Sequence, residues 1–127
     1  MRRNLILVDD DPIFQFGVKH LVKGLKKQVD LQVFDSGEQL LEFLSSPNMD
    51  RTPNVLLIDL NMPEMSGWEV LEHLKKIDLG KKVWIYVCSS SINPTDIRKA
   101  MEIEIVSKYV IKPIELTKLE ELLEAAV

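Results

Sequence analysis

Asp59 ends a run of four apolar residues, Val55-Leu-Leu-Ile58, and opens the segment Asp59-Leu-Asn-Met-Pro-Glu-Met-Ser-Gly67. A carboxylate at the end of a buried strand is a poor packing group, because burying a charge is costly unless something pairs it. The chain offers partners in the acidic run Asp9-Asp10-Asp11 and, far downstream, in Lys112. Three close carboxylates repel, and at least one holds its proton near neutrality unless a cation is present. A hard, oxygen-loving divalent ion resolves that conflict, and Mg2+ typically binds through one or two carboxylates with waters and phosphate. Asp59 is then left as a nucleophile toward phosphorus, since carboxylates form aspartyl phosphates. Such catalysis is positioning plus charge neutralisation, with the metal on one side of the phosphoryl group and Lys112 on the other. Ser89 can donate a hydroxyl hydrogen bond to a phosphoryl oxygen, and Met62-Pro63 with Gly67 shape the turn that exposes Asp59.

These side chains need elements to hold them. Five apolar strand segments recur, at 5–8, 31–34, 55–58, 83–87 and 106–111, each followed by a helical pattern. Asp11-Pro12 caps and opens the first helix, with Phe14, Val18, Leu21, Val22 and Leu25 at helical spacing. Ser36 with Gln39 reads as the capping box of a second helix carrying Leu40, Leu41 and Leu44. The third spans about 66–77 with Val70, Leu71 and Leu74 inward, Asn93-Pro94 opens a fourth, and 114–126 form a fifth. Alternating strands and helices mean a parallel sheet with helices on both faces, an α/β fold. Strands one, three and four are continuously apolar, whereas Leu31-Gln-Val-Phe34 and Val106-Ser-Lys-Tyr-Val-Ile111 carry polar interruptions suited to sheet edges. That favours the order 2-1-3-4-5, already established for flavodoxin-like sheets, over 3-2-1-4-5. The crevice at the switch point then lies where strands one and three end, at Asp9-Asp10 and Asp59, with Ser89 and Lys112 arriving from strands four and five.

Composition narrows the classes. The 127 residues suit a single domain, with no repeat, linker or appended effector domain expected. A net charge of −4 argues against a nucleic-acid module, and Lys26-Lys27, Lys75-Lys76 and Lys81-Lys82 read as solvated surface. No apolar run approaches the roughly 20 residues of a membrane span, and the Met-Arg-Arg start leads straight into a strand rather than a signal peptide. The lone Cys88, at the end of an apolar run, reads as a buried inert thiol and fits a reducing cytoplasm. His20 and His73 read as solvated, and Trp68 and Trp84 as packing groups. Taken alone, Asp9 and Asp10 would be ordinary turn and cap residues; only convergence with Asp59 and Lys112 makes them a metal site.

Leu-Val-Asp9-Asp10-Asp-Pro, Leu-Ile-Asp59-Leu-Asn-Met-Pro-Glu-Met-Ser-Gly, Cys-Ser89-Ser-Ser and Tyr109-Val-Ile-Lys112-Pro113 resemble, in type and spacing, the motifs of the response-regulator receiver family over the whole chain. The resemblance implies two-component signalling. Asp59 would accept a phosphoryl group from a histidine kinase or histidine phosphotransfer protein. Asp10 would ligate Mg2+ directly, Asp9 mostly through water, and the backbone carbonyl of Asn61 would add a ligand. Lys112 would pair with Asp59 at rest and with the phosphoryl group afterwards. Ser89 would then move toward the phosphoryl group and Tyr109 would turn inward. The output face would be the fourth helix, fifth strand and fifth helix, where Arg98, Lys99, Glu102, Lys108 and Lys118 are candidates for contact with a downstream protein. Lys112-Pro113 resembles the family's cis peptide. A monomer is expected, with dimerisation through the output face left open. Serine at position 89, where the family more often has threonine, keeps the hydroxyl, and Asp11 is assigned to the helix cap.

Two other classes compete. A haloacid-dehalogenase-type phosphatase also uses an aspartate after a strand, but needs a second aspartate two residues on, where this chain has Asn61. The chain is therefore not expected to be a turnover enzyme. Flavin binding is disfavoured because Asp9, Asp10 and Asp11 would repel the phosphate. A constitutive docking module that is never phosphorylated is the remaining alternative.

Overall fold

Apolar runs that are buried on both faces can only be satisfied inside a sheet covered by helices on each side. The computed structural model, described for residues 3–45, 55–77 and 83–126, has that architecture. In chain order the elements are β1 (Arg3–Val8), α1 (Pro12–Lys23), β2 (Val29–Phe34), α2 (Gly37–Leu44), β3 (Val55–Asp59), α3 (Gly67–Leu74), β4 (Trp84–Ser89), α4 (Pro94–Met101), β5 (Val106–Ile111) and α5 (Leu116–Ala125). The five strands are parallel in the order β2-β1-β3-β4-β5, as the sequence indicated. The loop expected over 46–53, the Lys81-Lys82 pair and the first two residues lie outside the described residues.

Side chains alternate between two cores. Leu5, Leu7, Leu57, Tyr86 and Cys88 pack with Val18 of α1 and Leu119, Leu122 and Leu123 of α5. Ile6, Val8, Leu56, Ile58 and Val87 pack with Leu40 and Leu44 of α2 and Val70, Leu71 and Leu74 of α3. The Tyr86 hydroxyl donates to the Leu122 carbonyl at 2.8 Å, pinning α5 to β4.

The strands differ from expectation where the site is built. β4 continues two residues past the expected 87, because Cys88 and Ser89 stay in the ladder opposite Val110 and Ile111. The β4–β5 register shifts by one, since Ile85 pairs with Val106 but Tyr86 with Lys108, leaving Ser107 as a bulge. The bulge reverses the side-chain alternation along β5. Val106 and Val110, an even number of residues apart, therefore face opposite cores.

Helix starts follow local chemistry. The Asp11 carboxylate accepts the Ile13 N–H at 2.9 Å with Pro12 next, so the assignment of Asp11 to the α1 cap holds. At α2, Ser36 Oγ accepts the Gln39 N–H at 3.2 Å, but Gln39 Oε1 accepts from Asp35 N–H instead of completing a capping box. The reciprocal box occurs at α3, between Ser66 and Glu69.

Gly67 begins α3 hard against the end of β3, its N–H donating to the Leu60 carbonyl at 3.0 Å. A Cβ on Gly67 would stand 2.1 Å from the Asp59 carbonyl oxygen and 2.7 Å from Leu60 Cα, both backbone atoms. By contrast nothing lies within 4 Å of a Cβ at Gly17, in the exposed middle of α1. Gly67→Ala is expected to destabilise the protein by roughly 3 kcal/mol through overpacking. Gly17→Ala is expected to stabilise it by up to about 1 kcal/mol through helix propensity. Urea unfolding of the two variants beside the parent checks both signs; equal and small effects would contradict the close approach at Gly67.

Candidate functional site

Parallel strands bring all their carboxyl ends to one edge, and the observed order makes β1 and β3 neighbours. Asp9, one residue beyond β1, and Asp59, the last residue of β3, are thereby placed side by side with almost no exposure, 0% and 4%. β4 ends at the fully buried Ser89. Lys112 follows β5, and its backbone N–H donates to the Ser89 carbonyl at 2.9 Å, which fixes it beside the other ends. The Lys112-Pro113 peptide is cis.

The two buried carboxylates are served unequally. One Asp9 oxygen accepts the Asp11 N–H at 2.9 Å, and the other accepts from Lys112 Nζ at 2.7 Å. The Asp9 backbone is also held, its N–H donating to the Phe34 carbonyl at 3.1 Å and its carbonyl accepting from Gln15 Nε2 at 2.5 Å. Asp59 accepts the Asn61 N–H at 3.3 Å and has the Lys112 ammonium at 3.6 Å, an ion pair too long for a good hydrogen bond. Lys112 thus pairs with Asp59, as the sequence led one to expect, but its nearer partner is Asp9. Both carboxylates compete for one cation, and Asp9 is the one held by the adjoining turn.

The electrostatic consequences follow. Desolvation, then the neighbouring Asp9 charge, pushes the Asp59 carboxyl up to about 6, against the lowering influence of Lys112 and the Asn61 N–H. Burial alone would lower the Lys112 ammonium, but the Asp9 hydrogen bond and the charges of Asp59 and Asp9 outweigh it and hold Lys112 above the ordinary lysine range. Cys88 sits beside these groups, yet desolvation pushes its thiol up to about 12, so it is inert at neutral pH, as its apolar setting indicated.

One oxygen from each of Asp9, Asp10 and Asp59 lies within 4.8 Å of the others, with Asp10 exposed to solvent. Three hard oxygen donors facing one space, with Asp59 short of partners, fit a divalent cation such as Mg2+. Asn61 is exposed beside Asp59. Asp11 stands apart from the carboxylate group, as do the exposed His20 and His73.

The loop after β4 links the site to α4. Ser89 Oγ accepts the Ser91 N–H at 3.1 Å, and Tyr109, half-buried against the α3-side core, donates its hydroxyl to the Ser91 carbonyl at 2.8 Å. Ser91 Oγ in turn donates to Asp96 of α4 at 2.7 Å. On the expected output face Arg98, Lys99, Glu102 and Lys108 are exposed, whereas Lys118 is only half-exposed and pairs with Glu121 at 3.7 Å. Trp84 is half-buried against the α1/α5 core. Trp68 is half-buried too and carries the Lys99 ammonium over its ring at 4.4 Å.

Sequence reasoning missed two members of the site, both on α1. Gln15 is buried and joins the Asp9 carbonyl to the Asp35 carboxylate, to which it donates at 2.7 Å. Its signal was a polar residue in the buried stripe with Val18 and Val22. Phe14, read as a core position, has its ring 4.3 Å from the Lys112 ammonium; nothing in the spacing distinguishes it from a packing residue.

Comparison with known proteins agrees with this fold. The model of the response regulator receiver domain family matches residues 5–124. The chain is 32% identical over 111 residues to the two-component response regulator ORR3 of Oryza sativa subsp. indica, spanning 87% of this chain and 80% of that protein. A CheY-like response regulator receiver domain from Methylobacillus flagellatus matches with a TM-score of 0.82 at 23% identity over 100% of both chains, a likeness of fold. The Mn(2+)-bound form of response regulator Rcp1 matches with a TM-score of 0.76 at 26% identity, over 98% of this chain and 88% of that one.

The raised Asp59 carboxyl makes stability depend on pH with a definite sign. In metal-free protein Asp59 keeps its proton up to about pH 6 when folded, but releases it near pH 4 when unfolded. The folded state binds more protons in that window, so this contribution weakens the fold as pH rises from about 4 to about 6. Asp59→Asn should therefore be more stable than the parent at pH 7, by about 2 kcal/mol, with the gap closing at pH 4. Denaturant titrations in a chelator at several pH values measure it; a gap that does not change with pH would show that Asp59 is not the strained group.

Proposed function

Because this chain belongs to the response regulator receiver domain family, a family of two-component signalling, we propose that Asp59 accepts a phosphoryl group from a histidine kinase or a histidine phosphotransfer protein. The observation that carries this reading is the buried, under-partnered Asp59 beside Asp9 and Lys112. With its carboxyl near 6, Asp59 is mostly ionised at neutral pH, yet burial leaves it poorly solvated. Those are the properties of a usable oxygen nucleophile.

Asp9, Asp10, Asp59 and the backbone carbonyl of Asn61 would hold Mg2+, and the similar Rcp1, at 26% identity, is known in a Mn(2+)-bound form. When bound, the ion supplies positive charge to the carboxylates and to the phosphoryl oxygens. The chain's own residues do the rest. An Asp59 oxygen forms the new bond to phosphorus as the bond from phosphorus to the donor imidazole nitrogen breaks, and that nitrogen keeps the electron pair. The Lys112 ammonium turns from Asp9 toward the phosphoryl oxygens and offsets their charge. Ser89 donates its hydroxyl hydrogen to one of them. Asn61 stands where a phosphatase of the aspartate-nucleophile class would need a general acid, so the reading is of a signalling switch and not of a turnover enzyme.

Drawing Ser89 toward a phosphoryl group would shift the hydroxyl oxygen that accepts the Ser91 N–H, and Ser91 is also the partner of Tyr109 and Asp96. Phosphorylation would therefore rearrange the β4–α4 loop, with Tyr109 following, and change the face formed by α4, β5 and α5. A downstream protein would read that face through Arg98, Lys99, Glu102, Lys108 and the half-exposed Lys118. No described helix is long and apolar enough to cross a membrane. The histidine-phosphoryl donors and the reduced Cys88 fit a cytoplasmic setting.

Incubation with acetyl phosphate followed by intact-mass analysis tests the reading. Wild type with Mg2+ should gain a single phosphoryl adduct that is absent with chelator and absent in Asp59→Asn, while Lys112→Met should slow its formation at least about tenfold. Mg2+ binding with no adduct in wild type would instead favour a docking module that keeps the fold without the phosphoryl signal.

A further inference from the structure

The Lys112 ammonium has a third neighbour besides its two carboxylates. Its Nζ lies 4.3 Å from the centroid of the Phe14 ring, 2.7 Å from Asp9 Oδ2 and 3.6 Å from Asp59 Oδ1, and the lysine side chain is only 16% exposed. The ring is itself anchored. Phe14 lies in the first turn of α1, fixed by the Asp11 cap and Pro12, and packs against the core shared by α1 and α5. The next residue, Gln15, clamps the Asp9 carbonyl. One helical turn therefore holds both the lysine and the aspartate it pairs with.

Resting on the reading of Asp59 as the acceptor, we propose that Phe14 is a positioning residue for phosphoryl uptake, whose ring holds the Lys112 ammonium while it exchanges Asp9 for the incoming phosphoryl oxygens. A lysine that pivots between anions loses a directional hydrogen bond midway. Exposed to water, it would be solvated there, and its charge diluted at the moment it is needed. An aromatic face attracts a cation through its quadrupole without demanding one hydrogen-bond direction. It also takes the place of water on that side of the ammonium. An aliphatic side chain of similar size would fill the same space in the core but offer the charge nothing, which separates this role from packing.

The test compares wild type with Phe14→Leu and Phe14→Tyr, using the Lys112 ε-methylene NMR shifts and the rate of adduct formation from acetyl phosphate with Mg2+. Ring-current upfield shifts are expected in wild type and Phe14→Tyr and not in Phe14→Leu. The rate should fall about fivefold in Phe14→Leu and return to within about twofold in Phe14→Tyr. Should Phe14→Leu not fold, Phe14→Met carries the same comparison. Unshifted lysine protons in wild type, an undiminished rate in Phe14→Leu, or a Phe14→Tyr rate as low as that of Phe14→Leu would each overturn the proposal. If wild type itself takes up no phosphoryl group, the acceptor reading of Asp59 fails and this role falls with it, an outcome distinct from an active wild type that is indifferent to residue 14.

Discussion

Two buried carboxylates share one half-buried lysine, and the rest of the structure is arranged around that shortage of positive charge. Adjacent parallel strands, β1 and β3, run in register, so that Asp9, just past the first, lies level with Asp59, the last residue of the second. Like charges so placed cannot both be comfortable without a cation. Lys112 supplies one, and the fold invests in keeping it there. The β5 bulge advances the register so that Ser89 lies opposite Ile111, and the Lys112 N–H reaches the Ser89 carbonyl. If Ser107 paired in the ladder instead of bulging, Ser89 would face Val110, and Lys112 would stand one position farther along the edge. On the opposite flank, the close seating of α3 against the Asp59 and Leu60 backbone admits only glycine at position 67.

The same crowding gives the site a route to the surface. Ser89 is fully buried, and its hydroxyl oxygen is occupied by the Ser91 N–H. Ser91 then spends its carbonyl on Tyr109 and its hydroxyl on Asp96. A short stretch of loop thus uses the polar groups of one serine to join the end of β4, the middle of β5 and the first turn of α4. Under the proposed reading, any force that draws Ser89 toward Asp59 has to disturb that serine. Tyr109 and α4 feel it through hydrogen bonds already in place, so no long chain of packed side chains is needed to carry the change.

Much of this was legible in the sequence because it follows from period and burial. Continuous apolar runs marked the central strands and interrupted ones the edges, which gave the sheet order. Residues at the ends of β1, β3 and β4 and just past β5 had to meet once the strands were parallel, so Asp9, Asp59, Ser89 and Lys112 came together as inferred. What could not be read depends on choices finer than a strand or a turn. Whether Lys112 reaches Asp9 or Asp59 is settled by about an ångström, through the N–H of Asp11 and the turn that presents it. Gln39 satisfied the spacing of a capping box but found the Asp35 N–H within reach instead. The bulge at Ser107 leaves no mark of its own in Val106-Ser-Lys-Tyr-Val-Ile111, a segment that any single alternation would have fitted. Phe14 belonged to an apolar stripe, and its second face, toward a cation, has no sequence signature.

Under the proposed reading, the unequal division of partners between Asp9 and Asp59 accounts for which of them reacts. Both are aspartates at strand ends, both are buried, and both lie near Lys112, so residue type and position do not separate them. Asp9 has a hydrogen bond to each carboxylate oxygen, and its backbone is tied at both N–H and carbonyl. A nucleophile bound that completely would have to break several bonds before it could attack. Asp59 has one long bond from Asn61 and a lysine beyond hydrogen-bond distance, and its carboxyl is raised to about 6 as a result of burial beside Asp9. By taking the lysine, Asp9 leaves Asp59 poorly solvated and unencumbered, with its carboxyl raised. The pair resembles other sites in which neighbouring carboxylates are given different roles by environment alone. Here the environment that divides them is the β1–α1 turn, with Gln15 and Phe14 of α1 behind it.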